Sequence, residues 1–179
     1  SDNVVSLKVQ GTFDDCQAMV KTAMADSELS QQFRFSSANS INIGRLLPQS
    51  TYYADASLRH FRRTGRKPGF VVPTGNLGNG FACVMARAMG LPIGPIVLAT
   101  NSNRTISDYF ESNEWQPRSS LQTLASAMDV GDPSNMERLR NLLGDAEVLR
   151  NQLKVTSVND VEIEAAIQQD FKDFGFATC

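Results

Sequence analysis

The chain has 179 residues, 41% of them hydrophobic and 20% charged, and its 17 Lys and Arg against 19 Asp and Glu leave a formal charge of -2. That length and apolar content suit one globular domain with a buried core and exclude intrinsic disorder, while the near balance of charge excludes a global field that would recruit nucleic acid. No apolar run approaches the roughly 20 residues of a membrane helix, and the N-terminus SDNVVSLKVQ lacks a charged region followed by an apolar one, so a cytoplasmic protein without membrane partners is expected.

In chain order, Val4 to Val9 alternates like a strand, Gly11 breaks it, and Phe13 to Gln32 reads as a helix with Asp14 and Asp15 in its first turn. Phe33 to Ser36 reads as a second short strand. Ile43 to Phe61 then reads as a long helix with Pro48 as a kink, closed by Gly65 and Pro68. Phe70 to Val72 and Ile96 to Ala99 are short apolar strands, separated by a helix after Asn79. Beyond Asn101 no strand is expected, and helices are predicted near Ile106 to Phe110, Asn135 to Leu143 and Asp160 to Phe174. Strands alternating with helices predict an α/β three-layer sandwich, with a short, mainly parallel sheet flanked by helices, plus a helical tail. Residues 1–128 are expected to form the α/β part and 129–179 the tail packing on it. Ligands then belong at the carboxyl ends of the strands.

The most informative stretch is VVPTGNLGNGFACVMARAM, Val71 to Met89, in which a buried strand passes through a glycine-rich turn into an apolar helix. Unpaired N–H groups at a helix start and the positive end of its dipole favour an anion, and glycines let the main chain take positive φ and approach a ligand. Gly75, Gly78 and Gly80 are spaced G-x-x-G-x-G, which is neither the dinucleotide spacing G-x-G-x-x-G nor a P-loop, because no Gly-Lys-Ser/Thr follows. A phosphate-bearing cofactor without a ribose diol fits; a turn that uses glycine for geometry alone is the competing reading. A second turn, SSANSINIGR from Ser36 to Arg45, enters a helix through Ser37, Asn39, Ser40 and Asn42. These side chains are good helix caps, and Arg45, one turn in, could complete a cradle for a tetrahedral oxyanion.

Cys16, Cys83 and Cys179 show no metal or disulfide spacing and are expected as reduced thiols. His60, the one histidine, falls in the basic helix end RHFRRTGRK and reads as a solvated helix face, so no metal site is expected. Trp115 and Phe110 read as core or domain-contact aromatics. For Asp129 two readings stay open: a helix cap near Pro133, or service in an interdomain region.

Five segments, in order, resemble threonine synthase, a fold-type II pyridoxal phosphate enzyme: GTFDDCQAMVK from Gly11, SSANSINIGRLLPQSTYY from Ser36, VPTGNLGNGFACVMARAMGLPI from Val72, LATNSN from Leu98 and LASAMDVGDPSNMERL from Leu124. The resemblance implies conversion of O-phospho-L-homoserine and water to L-threonine and phosphate, with pyridoxal 5'-phosphate as electron sink. It also implies that Gly75, Asn76, Leu77, Gly78 and Asn79 hold the cofactor phosphate and that Asn39, Ser40 and Arg45 hold the substrate phosphate, with Asn42 a weaker candidate. A related fold-type II dehydratase and a non-catalytic phosphate-binding or interaction module are the alternatives.

The family's Schiff-base lysine lies in a motif like FKDFG. These letters occur at Phe171 to Gly175, but after every other family segment instead of before them. Ile163, Ile167, Phe171 and Phe174 share one helical stripe, Lys172 lies off it, and Gly175 is a stop signal, so Lys172 is read as a decoy facing water. No catalytic residue is therefore assigned within the chain. The expectation is an internal fragment whose partners are the missing domains of the same polypeptide.

Overall fold

The structure is a computed structural model that describes residues 3–176 and divides into two compact units at Ser36/Ser37.

The smaller unit is helical. Helix α1, Phe13–Ala25, starts at a reciprocal capping box: Asp15 N–H donates to Thr12 Oγ1 at 3.3 Å, and Thr12 N–H donates to Asp15 Oδ2 at 2.7 Å. Hydrogen bonds from the Thr12 backbone and hydroxyl hold the Asp15 carboxyl below its usual range. The helix expected to run to Gln32 breaks at Asp26, whose Oδ1 accepts from the Glu28 and Leu29 amides and starts α2, Ser27–Gln32. The strands expected at Val4 to Val9 and Phe33 to Ser36 do not form. Their alternation is real, but no described strand in this unit offers a ladder, and a lone extended segment gains nothing from β geometry. Val5 and Leu7 are over four-fifths exposed.

The larger unit is built on three parallel strands in the order β1 (Phe70–Pro73), β2 (Ile96–Thr100) and β3 (Lys154–Ser157). The third strand corrects the expectation of none after Asn101. It is a four-residue edge strand with one apolar residue, which leaves little sequence signal. Register follows the period of two: Phe70, Val72, Ile96, Leu98 and Val155 share the inner face, and Val71, Val97, Lys154 and Thr156 share the outer one. The inner face packs on α4 (Gly78–Ala88), α5 (Thr105–Ser112), α6 (Met136–Leu143) and α7 (Ala146–Gln152) in one apolar cluster. Val71 is 68% exposed and Lys154 and Thr156 are exposed, so among the described residues of this unit no helix covers these outer-face positions. The α/β class and the parallel sheet are as expected, with one of its two helical layers in place.

Helix α3, Ile43–Thr64, runs through Pro48 and stops at Gly65, which takes the left-handed conformation at φ 68°. It lies along α4, and its Tyr53 ring meets Phe70 edge-on at 5.3 Å. The helix α7 escaped sequence reading because it has only seven residues, although Asp145 caps it in the standard way. Helix α8, Asp160–Phe174, has the predicted bounds but buries none of its residues. Phe110 and Trp115 are core aromatics, as read; both lie against Tyr109, Trp115 edge-on at 5.4 Å.

Cys83 is fully buried in α4, and burial pushes its thiol up to about 12, against the smaller opposite pull of the Arg87 charge. Cys16 is half-buried, and Cys179 lies outside the described residues. Alkylation by iodoacetamide at pH 8 with peptide mass mapping is expected to label Cys16 in the folded protein and Cys83 only at the rate of unfolding. Equal labelling of both thiols would contradict the packing of α4.

Candidate functional site

The turn after β1 is held by Asn79. Its Oδ1 accepts from Thr74 Oγ1 at 2.7 Å and from the Gly80 amide at 2.9 Å, and its Nδ2 donates to the Pro73 carbonyl at 2.7 Å. The side chain is thereby spent on bending the chain from strand to helix. The residue with positive φ is Leu77 (φ 62°), not one of the three glycines. A left-handed conformation costs a non-glycine residue about 1–2 kcal/mol, offset here by complete burial of the leucine side chain. The glycines serve close approach instead. A Cβ on Gly75 would sit 2.8 Å from Met128 Cα, and one on Gly78 would sit 3.0 Å from Leu46 Cδ2 and 3.1 Å from Ser40 Cβ. Gly78 thus allows the two anion-type turns to lie back to back.

Helix α4 starts without a side-chain cap, since Leu77 is its N-cap residue. Asn79 serves the Gly80 amide, so the earlier amides of the first turn form the concavity that could receive an anion. Neither turn, residues 36–45 or 73–80, contains an acidic residue.

The Ser36 to Arg45 turn is shaped by its own side chains. Asn42 is the N-cap of α3, its Oδ1 accepting from the Gly44 amide at 2.9 Å and its Nδ2 donating to the Ser37 carbonyl at 2.8 Å. Asn39 Oδ1 accepts from the Ile41 amide at 3.3 Å and the Ser40 hydroxyl at 3.2 Å. Arg45 is exposed, and its guanidinium has no ion pair or hydrogen bond among the described residues.

Ser134, Asn135 and Arg138, which sequence reading did not single out as site residues, bind these turns together. Asn76 Nδ2 donates to Ser40 Oγ at 2.7 Å, and Asn76 Oδ1 accepts from the Ser134 amide at 2.7 Å and its hydroxyl at 3.0 Å. Asn135, fully buried, donates through Nδ2 to the Asn76 carbonyl at 2.9 Å and to Ser40 Oγ at 3.3 Å. Arg138 donates to Asn135 Oδ1 and to the Ser40 and Ile41 carbonyls. The only sequence signal was Asn135 as a helix start; contacts reaching 95 to 98 residues back leave no local trace.

A second polar knot closes the end of β2. Asp129 accepts from Asn101 Nδ2 (2.8 Å), Asn103 Nδ2 (3.2 Å), Thr123 Oγ1 (2.7 Å) and the Thr123 amide (3.0 Å). It does not cap the helix near Pro133: the carboxylate folds the loop 121–130 onto the strand end. The strand order shows no reversal, so the end of β1 carries the glycine turn without a switch-point crevice among the described strands.

Lys172 is exposed in the last turn of α8, ahead of the left-handed Gly175. Lys8, Lys21, Lys67 and Lys154 are exposed as well. His60 is half-buried on α3, and no cluster of three or more His, Cys, Asp or Glu suited to a metal occurs among the described residues. Nor is any helix among them long and apolar enough to cross a membrane. Cavities of about 360 Å³ beside Trp115 and Arg140 and about 580 Å³ beside β3 lie on other residues than the two turns.

Comparison with known proteins agrees with this architecture. No protein-family model matches the chain. Threonine synthase from Escherichia coli is 35% identical over 176 residues, 98% of this chain and 41% of that protein. The enzyme of the same name from Haemophilus influenzae is 41% identical over 140 residues, 78% of this chain and 33% of that one. Among solved structures, a pyridoxal phosphate-dependent aspartate racemase shares the fold alone, at 15% identity and a TM-score of 0.55. Threonine synthase from Escherichia coli superposes with a TM-score of 0.82 at 32% identity, over 96% of this chain and 40% of that one. The pyridoxal phosphate-bound threonine synthase from Brucella melitensis gives the same score and identity over 98% and 43%. The fold is that of an open α/β unit with a short parallel sheet. The chain belongs to the threonine synthase family and spans about 40% of the length of the curated relatives it matches.

Asp129→Ala is expected to lower stability by about 2–3 kcal/mol in urea unfolding, since it strands the donors of Asn101, Asn103 and Thr123. Amide exchange should accelerate in residues 121–130 before α4. An unchanged midpoint would contradict the organising role of the carboxylate.

Proposed function

We propose that this chain is the phosphate-holding part of a threonine synthase, a cytoplasmic enzyme that converts O-phospho-L-homoserine and water to L-threonine and phosphate with pyridoxal 5'-phosphate. The observation that carries the reading is the uncapped start of α4, free of carboxylates and locked against a second turn that carries an unpaired arginine. Two such turns suit one cofactor phosphate and one substrate phosphate.

Gly75, Asn76, Leu77, Gly78 and Asn79 would hold the cofactor phosphate through main-chain N–H groups, because the side chains of Asn76 and Asn79 are committed within the protein and Leu77 is buried. Asn39, Ser40 and Arg45 would hold the substrate phosphate, Arg45 by a charge-assisted contact. Asn42 has a cap to maintain and is assigned to shape the turn. When bound, pyridoxal phosphate supplies the electron sink for a β,γ-replacement. The protein's contribution here is orientation: a glycine surface that admits phosphate oxygens, and a dipole and a guanidinium that favour their charge.

The residues fit the phosphate of that cofactor and not its covalent anchor. All five lysines are exposed and none lies in either turn, which supports reading Lys172 as a decoy and assigning no catalytic residue within the chain. In the proposed division, residues 1–128 carry both turns and 129–179 brace them through Ser134, Asn135 and Arg138, with the remainder of the polypeptide as partner.

Titration of the 179-residue chain with inorganic phosphate, followed by amide NMR shifts, tests this. Shifts are expected to concentrate at residues 76–79 and 39–45, and Arg45→Met is expected to weaken the effect at 39–45 about tenfold by loss of one charge-assisted contact. Shifts confined to other residues would overturn the assignment.

A further inference from the structure

The polar knot at Ser40 has a direction. Asn76 Oδ1 accepts from the Ser134 main-chain amide, which can only donate, so Nδ2 is the atom facing Ser40. Asn135 Oδ1 accepts from the Arg138 guanidinium, which likewise only donates, so Nδ2 faces the Asn76 carbonyl and Ser40. Both lone pairs of Ser40 Oγ are then taken by amide N–H donors, at 2.7 and 3.3 Å. Its single proton must be donated, and at present it goes to Asn39 Oδ1 at a long 3.2 Å. Two donors on one hydroxyl oxygen polarise its O–H bond and strengthen it as a donor. Behind this arrangement stands Arg138, half-buried, which spends its donors on neutral oxygens; no carboxylate pairs with it among the described residues.

Resting on the phosphate reading above, we infer that Asn135 and Arg138 are positioning residues that make Ser40 a dedicated hydrogen-bond donor to an anion and lock the two phosphate turns in one geometry. An anionic oxygen is a better acceptor than the neutral Asn39 amide and would take over the Ser40 proton. The uncompensated charge of Arg138 biases the same turn toward negative ligands without touching them. Because Asn135 also holds the Asn76 carbonyl, the geometry of the cofactor-side turn is set by the same buried amide.

The test uses the full chain, with inorganic phosphate as probe, in wild type, Ser40→Ala, Asn135→Asp, the double variant and Arg138→Met. Asn135→Asp keeps a partner for Arg138 but replaces the donor facing Ser40 with an acceptor, which turns the Ser40 proton inward. It is expected to weaken phosphate binding about tenfold or more, and in the Ser40→Ala background by about threefold or less. An effect of equal size in both backgrounds is plain charge repulsion and overturns the inference. If Asn135→Asp does not fold, Arg138→Met carries the test: amide exchange should accelerate together at residues 38–42 and 75–79, and exchange unchanged in either turn overturns the lock. Wild-type protein that binds no phosphate contradicts the anion reading itself, and the exchange readout then decides the lock alone.

Discussion

The hydroxyl oxygen of Ser40 is where three segments distant in sequence are tied together, and the geometry of both phosphate-type turns depends on it. It accepts from Asn76 in the turn before α4 and from Asn135 at the start of α6, while the Ser40 backbone carbonyl accepts from Arg138. Gly78 makes the knot possible, because any Cβ there would press on Ser40 and Leu46. The apolar part of the fold serves the same end: Leu46 and Leu77, both fully buried, join α3 and the left-handed turn to the apolar cluster that includes α4.

Burying so many amides has a cost that only complete pairing offsets, and here the pairing is close to complete. Asn135 has no exposed surface, yet its carbonyl oxygen accepts one bond and its amide nitrogen donates two. A satisfied network of this kind selects one arrangement, because every alternative strands a buried donor or acceptor. The Asp129 knot obeys the same rule at the end of β2, with Asn101 and Asn103 both nearly inaccessible. The structure therefore holds its candidate site with polar contacts and its centre with apolar ones.

Much of this was legible from local patterns. The strand at Phe70, the glycine turn, the helix after it and the bounds of α8 follow from periodicity, caps and stops, and each is present. Local readings failed where the deciding partner was absent or remote. Val4 to Val9 alternates like a strand but pairs with no strand among the described residues, and Lys154–Ser157 lacks a strand's pattern but has β2 beside it. Positive φ was expected of glycine and belongs to Leu77, because burial of the leucine offsets the strain. At the candidate site, the two turns could be located from sequence. Asn135 and Arg138 could not, since their meaning lies in contacts to a turn nearly a hundred residues earlier.

The central claim, that the start of α4 and the Ser40 turn together receive phosphate-like anions, is tested most directly by soaking crystals of the chain in selenate and locating the anion by its anomalous signal. The account predicts selenate at the first amides of α4 between Gly75 and Asn79, with a second position between Ser40 and Arg45. Selenate found only at other basic residues, such as Arg140 in the cavity beside Trp115, would contradict it.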